Sequence, residues 1–263
     1  MALMIECCSL NFAHGRKVIL ENICFKAEAG VFLGVLGRNG SGKTTLLHCL
    51  NRILEPASGS IFIDQDELSL LTPGDIARKI SLVPQEHLDI FPYKVIDVIA
   101  MARAPFLKVC SSPDENDYKI AMDALRQLNA INFKDKNFNR ISGGERQITL
   151  LARAIAQTTK IMLLDEPTNH LDFNNQYHLL SAIRNLVKQK NLCVVASMHD
   201  PSMAALFCDQ IIMIKNRKII VQGTREKVMT EENISRLYGT ETCAVKINRK
   251  KNIFLPNHII EME

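Results

Sequence analysis

The sequence predicts an α/β chain built on a mostly parallel sheet, with an antiparallel β portion at its N-terminus and a helical region inserted in the middle. Three observations carry this. Short apolar runs at residues 31–36, 160–165 and 191–197 read as strands buried on both faces. Segments with helical spacing, at 44–51 and 176–188, alternate with them, which is the mark of a parallel α/β core. Residues 4–10 and 18–25 instead read as two strands joined across Ala13-His14-Gly15-Arg16, an antiparallel pair.

Taken in order, Ala29-Gly30 closes the N-terminal pair, and 31–36 is the first buried strand, followed by the helix at 44–51. Pro56-Ala57-Ser58-Gly59 breaks that helix, and 60–63 reads as a further strand ending in an Asp-rich turn. From 93 to about 157 the pattern is helical, clearest at 95–103 and 118–128, with Ser111-Ser112-Pro113-Asp114-Glu115 as a loop and helix start. Residues 210–214 and 218–222 flank Lys215-Asn216-Arg217 as a hairpin. Arg249-Lys250-Lys251 reads as part of a solvated tail. The expected organisation is a domain over 1–240, with its helical subdomain at about 88–158, and a C-terminal tail over 241–263.

At 263 residues the chain is long enough to bury a core without disulfides or metal. Its 47% apolar and 23% charged content excludes a disordered or fibrous chain. The longest apolar runs fall far short of the ~20 residues that span a bilayer, and Glu6 interrupts any signal-peptide layout. A cytosolic chain that crosses no membrane is expected. Its net charge of +4 is too mild to suggest a nucleic-acid partner. The 8 cysteines form no CxxC pair and no Cys/His cluster at metal spacing, so they read as small reduced apolar residues.

Gly37-Arg38-Asn39-Gly40-Ser41-Gly42-Lys43-Thr44 fits G-x-x-x-x-G-K-[ST] at every position, between an apolar strand and a helix. Its glycines let successive N–H groups turn inward around phosphate oxygens, and the helix start adds the positive end of its dipole. Lys43 supplies an ammonium for the β- and γ-phosphates, and the Thr44 hydroxyl can ligate Mg²⁺. The core is therefore expected to be that of a P-loop NTPase. Lys160-Ile161-Met162-Leu163-Leu164-Asp165-Glu166 then delivers two carboxylates at the C-terminal end of a buried strand, where α/β ligands bind. Asp165 suits Mg²⁺ and Glu166 suits the polarisation of an attacking water.

With these motifs in place, residues 4–240 resemble the ATP-binding subunit of an ATP-binding-cassette transporter. Ile141-Ser142-Gly143-Gly144-Glu145 is similar to the family's LSGGQ signature, with Ile and Glu in place of Leu and Gln. Gln85 in Val83-Pro84-Gln85-Glu86 stands where the family has its Q-loop. Asn169-His170-Leu171-Asp172 resembles the D-loop, and His199 in Ser197-Met198-His199-Asp200 the switch histidine. Phe12 falls where the family usually has a Tyr stacking on adenine.

The resemblance implies ATP and Mg²⁺ as ligands. Glu166, His199 and Gln85 would act in hydrolysis, and Thr44, Gln85 and Asp165 around the metal. Phe12, the loop from Gly37 to Thr44, Thr45, Ser142, Gly143, Gly144, Glu145 and Asp172 would bind nucleotide. It further implies a head-to-tail homodimer holding two ATP molecules, each closed over by the partner's signature residues. The helical middle region would dock integral membrane permease subunits at the cytoplasmic face of the inner membrane, and an extracytoplasmic substrate-binding protein would complete the complex.

Several stretches are similar to the ATPase subunits of ferric-siderophore, haem and cobalamin importers. They are Met101-Ala102-Arg103-Ala104-Pro105, the segment from His199-Asp200 to Cys208-Asp209, Val228-Met229-Thr230-Glu231-Glu232-Asn233 and Leu237-Tyr238-Gly239. Related branches carry oxyanions. Other readings stay open: an exporter subunit, a non-transport ATPase acting with nucleic acid or ribosome, or a nucleotide-binding regulator without turnover. A single cassette, and a stretch from Thr44 to Ser142 too short for long coiled coils, favour transport.

Overall fold

In the computed structural model, which describes residues 2–85, 92–108, 111–169, 171–248 and 251–257, the chain opens on β1 (Leu3–His14) and β2 (Lys17–Glu28). These form the expected antiparallel pair. There follow β3 (Phe32–Leu36), α1 (Lys43–Leu50), β4 (Ser58–Ile63), the short β5 (Asp66–Glu67), α2 (Pro73–Lys79) and β6 (Ile80–Val83). The helical region holds α3 (Val95–Ala100), α4 (Glu115–Gln127) and α5 (Gly143–Ala156). Next come β7 (Ile161–Asp165), α6 (Phe173–Lys190), β8 (Cys193–Met198), α7 (Pro201–Phe207), and the hairpin β9 (Gln210–Lys215) and β10 (Lys218–Thr224). The described chain closes with α8 (Arg225–Val228), α9 (Glu231–Tyr238), β11 (Thr242–Asn248) and β12 (Lys251–Pro256).

Two principal sheets result. One is antiparallel, in the order β2-β1-β4-β5. The other runs β10-β9-β3-β8-β7-β6, with β9, β3, β8, β7 and β6 mutually parallel and β10 antiparallel at one edge. Successive side chains of a strand point to opposite faces, and here each face has its own core. Leu33, Val35, Leu163 and Val195 pack with α1 and the antiparallel sheet, while Phe32, Leu36, Leu164 and Ala196 pack under the helices of the other face. Burial on both faces is why these strands read as unbroken apolar runs.

The structure departs from expectation at three places. The helix expected at 95–103 stops at Ala100 and continues as a 3₁₀ segment, Met101–Phe106. Pro105 has no N–H to give the helical ladder, and its ring would clash with the carbonyl four residues back. β6 was not expected at all: its Ile80-Ser81-Leu82-Val83 run is too short for periodicity to register, and it is held by pairing with β7. Among the described residues of the expected C-terminal tail, 242–248 and 251–256 are strands. β11 and β12 form an antiparallel hairpin, and Phe254 is buried in the main core. In the sequence, the charge of the Arg-Lys-Lys run at 249–251 masks the alternating apolar positions on either side. Arg249 and Lys250 themselves, like Glu86, Cys110 and His170, lie outside the described residues. Among the described residues no helix is long and apolar enough to cross a membrane.

Candidate functional site

Three neighbouring strands of the parallel sheet end in one row. Leu36 of β3 is in register with Met198 of β8, and Ser197 of β8 with Asp165 of β7. The residues that follow these ends, Gly37, His199 and Glu166, are thereby delivered to the same edge, where ligands bind in open α/β sheets. A cleft of about 1060 Å³ opens there, lined by Arg38, Asn39, Gly40, Ser41, Gly42, Lys43, Thr44, Thr45, Gln85, Glu166 and His199. Lys17, Ile19, Asn169 and Tyr238 complete its wall.

The loop from β3 to α1 needs its glycines for defined reasons. Gly42 immediately precedes α1 at φ +101°, a left-handed conformation that suits glycine, and a side chain there would strike Leu20. A Cβ on Gly37 would lie 2.8 Å from the Ile214 carbonyl oxygen. Lys43, at the first turn of α1, is only 4% exposed and donates to the Gly37 carbonyl at 2.9 Å. Burial lowers the pKa of its ammonium, against the opposing pull of Glu166 and Asp165. The nearest carboxylate oxygen, Oε1 of Glu166, is 3.7 Å away.

Asp165 and Glu166 face different partners. Asp165 Oδ1 accepts from Thr44 Oγ1 at 3.1 Å and from Ser197 Oγ at 2.6 Å. Its Oδ2 is buried and has no hydrogen-bond partner among the described residues. A buried carboxylate oxygen left over beside a hydroxyl is a hard-oxygen donor set, and it fits Mg²⁺, which takes few protein ligands and keeps waters and phosphate oxygens. Glu166, itself 6% exposed, adopts φ +49°, a strained conformation for a non-glycine residue of the kind that collects at functional sites. Ser197 Oγ accepts its backbone N–H at 2.8 Å and so holds that conformation. Around its carboxylate, Gln85 Nε2 donates at 2.7 Å, Asn169 Nδ2 at 2.5 Å, and His199 Nε2 lies against Oε1.

The remaining expected residues are placed apart from this cleft. Phe12, expected to offer its ring to adenine, is 8% exposed and packs in the core between the antiparallel sheet and α1. This corrects the sequence reading: the ring lies on the inward face of β1, in register with Leu20, and Lys17 and Ile19 of β2 are the cleft's contribution from that hairpin. Ser142, Gly143, Gly144 and Glu145 form the start of α5 and do not line the cleft. Ser142 and Glu145 make a capping box, Ser142 Oγ accepting the Glu145 N–H at 3.2 Å and Glu145 accepting the Ser142 N–H at 3.0 Å. A hydrogen bond from Lys136, then one from Ser142, holds the Glu145 carboxyl below its ordinary range. Asp172 caps α6, accepting the Asn175 N–H at 2.8 Å. The two groups are neighbours, since a methyl on Gly144 would lie 3.5 Å from Asn175 Nδ2.

Sequence reasoning quoted Ser197, Asn169 and Tyr238 within motifs without giving them a role, and did not reach Lys17 or Ile19. Ser197 and Asn169 open the motifs that hold His199 and Asp172, and their roles follow only from the contacts they make. Tyr238, quoted only as part of Leu237-Tyr238-Gly239, arrives from α9, and its hydroxyl donates to the His199 carbonyl at 2.6 Å. Burial, then the Asp200 carboxylate, pushes its phenol above the ordinary range, so the hydroxyl remains a donor.

A parallel sheet with a phosphate loop, a buried Lys and a strand-end Asp-Glu pair in one cleft defines a P-loop nucleotide-hydrolysing ATPase. The comparisons with known proteins agree. The family model described as ABC transporter matches residues 20–169. A Helicobacter pylori protein named as an iron chelatin transport ATP-binding protein is 34% identical over 253 residues, covering 96% of this chain and 99% of the relative. An inward-facing structure described as a metal-chelate type ABC transporter superposes with a TM-score of 0.85 at 30% identity, across 97% of both chains. The dimeric structure of a bacterial ABC transporter cassette does so with a TM-score of 0.75 at 25% identity, across 84% of this chain and 99% of that one. The chain belongs to the ABC transporter family, as one of its ATP-binding subunits.

Proposed function

We propose that this subunit hydrolyses MgATP at a site shared between two copies of the chain, and that the cycle powers import of an iron-siderophore, haem, cobalamin or similar cargo. The observation that carries the hydrolytic reading is the convergence of Lys43, Gln85, Asn169 and His199 on one buried, conformationally strained carboxylate, Glu166. In this reading the loop from Gly37 to Thr45 wraps the phosphates with its N–H groups, and Lys43 places its ammonium on the β- and γ-oxygens. Thr44 and Asp165, with Gln85 nearby, would hold Mg²⁺, whose contribution when bound is to neutralise phosphate charge. Glu166 accepts the proton of the water that attacks the γ-phosphorus. His199 directs its ring at the same centre, and Gln85 and Asn169 orient the Glu166 carboxylate.

The sharing between copies is supported by what each copy leaves undone. Ser142, Gly143, Gly144 and Glu145 present a helix start, an anion site by its dipole and N–H groups, yet they stand outside the cleft of their own chain. A second copy set head to tail would bring them, with Asp172, onto the first copy's nucleotide. The dimeric cassette described above supports this arrangement. The helices between Val95 and Ala156 would dock integral membrane permease subunits, placing the subunit on the cytoplasmic face of the inner membrane. An extracytoplasmic binding protein would deliver the cargo. The named iron-chelatin and metal-chelate relatives support the cargo class.

The test is isolation of the chain from membranes with its bound partners, followed by ATPase assay of the reconstituted complex. Turnover should rise when a metal-chelate-loaded binding protein is added. A chain that hydrolyses ATP yet never associates with a polytopic membrane protein would remove the transport reading and leave the ATPase.

A further inference from the structure

The ladder between β3 and β8 ends at the pair Leu36 and Met198, one residue short of His199. The His199 carbonyl therefore lies beyond the end of the β3–β8 ladder. Tyr238 meets this carbonyl, its hydroxyl donating at 2.6 Å from the last residue of α9. The donor is itself rigidly mounted. Ile234 and Leu237 of α9 are fully buried, Gly239 ends the helix at φ +73°, and Ser235 Oγ accepts the Thr242 N–H of β11 at 3.0 Å. On the other side of His199, Asp200 caps α7 by accepting the Ser202 N–H at 2.7 Å, and Ser202 Oγ accepts the Phe254 N–H of β12 at 3.0 Å. Between these fixed points the His199 side chain, 36% exposed, reaches the carboxylate of Glu166.

We propose that Tyr238 is a positioning residue for hydrolysis: its hydroxyl holds the His199 backbone so that the imidazole meets Glu166. This rests on the roles given above to His199 and Glu166. Tyr238 lines the same cleft, but its part is played through the His199 carbonyl. Tyr238→Phe keeps the ring and removes only the donor, which isolates the hydrogen bond from packing.

The experiment compares wild type, Tyr238→Phe and His199→Ala in steady-state MgATP hydrolysis, with hydrogen–deuterium exchange on the same samples. Loss of one neutral hydrogen bond of this kind should lower kcat by about three- to tenfold, with KM for MgATP unchanged. Deuterium uptake should rise over residues 199–203 and stay unchanged over α1. A wild-type kcat in Tyr238→Phe, a parallel change in kcat and KM, or unchanged uptake over 199–203 would each overturn the proposal. Full activity in His199→Ala would instead overturn the hydrolytic reading on which it rests, so the two failures are distinguishable.

Discussion

Thr44 and Asp165 are separated by 121 positions in the chain, yet one hydrogen bond joins them, Thr44 Oγ1 donating to Asp165 Oδ1 at 3.1 Å. The bond couples the first turn of α1 to the end of β7. It also turns the second carboxylate oxygen of Asp165 into buried space, where it finds no partner among the described residues. A buried ionised oxygen is costly unless something positive meets it, which is the physical case for a cation at this point.

Asp165→Asn removes that charge at constant size. Nucleotide affinity should fall at least about tenfold in Mg²⁺, corresponding to a lost charge-assisted contact, and change little in EDTA. Titration under both conditions reads the difference. Equal affinities for wild type and variant in Mg²⁺ would move the metal elsewhere.

Glu166→Gln retains the shape of the site and most of its hydrogen bonding but cannot take up a proton. It should bind MgATP while turnover falls by about 10²–10⁴-fold. With ATP persisting between two copies, the variant should elute as a dimer in MgATP on size-exclusion chromatography. Near-normal turnover would exclude Glu166 as the base.

The signature residues should act on the partner's nucleotide. Lys43→Ala removes the loop's point charge, and Ser142→Arg blocks the start of α5 while costing about 1 kcal/mol through the lost cap. Each variant alone should be inactive. Mixed, they should recover activity from one intact shared site per heterodimer. Heterodimers shown to form but inactive would speak against a site built from two chains.

Phe12 is a core residue, so Phe12→Ala should cost about 3–5 kcal/mol of stability with little change in the nucleotide affinity of the folded fraction. Thermal denaturation and nucleotide titration measure the two separately. A large loss of affinity at unchanged stability would return Phe12 to the base-binding surface.

The expectation for Phe12 failed for a reason that a linear motif cannot see. Period-2 alternation says that neighbouring residues of a strand face opposite ways, but which set faces the core depends on register with the partner strand. β1 carries several register irregularities against β2, including one at Phe12 itself, so the inward set could not be counted from one end. The hairpin of β11 and β12 was missed because the basic run at 249–251 outweighed a short apolar alternation in the sequence. β6 was missed because four residues are too few for a period.

Local chemistry was readable along the chain. The glycine loop, the apolar run ending in Asp165-Glu166 and the buried parallel strands all follow from the properties of adjacent residues, whose conformational and packing preferences act over a few positions. The convergence of distant groups was not readable. That Gln85 and His199 both meet Glu166, that Ser197 bridges the Asp165 carboxylate and the Glu166 N–H, and that Tyr238 reaches the His199 carbonyl depend on strand order, with β8 lying between β3 and β7. Strand order is set by how both faces of the sheet are buried at once, a property of the whole packed chain that no segment of it carries.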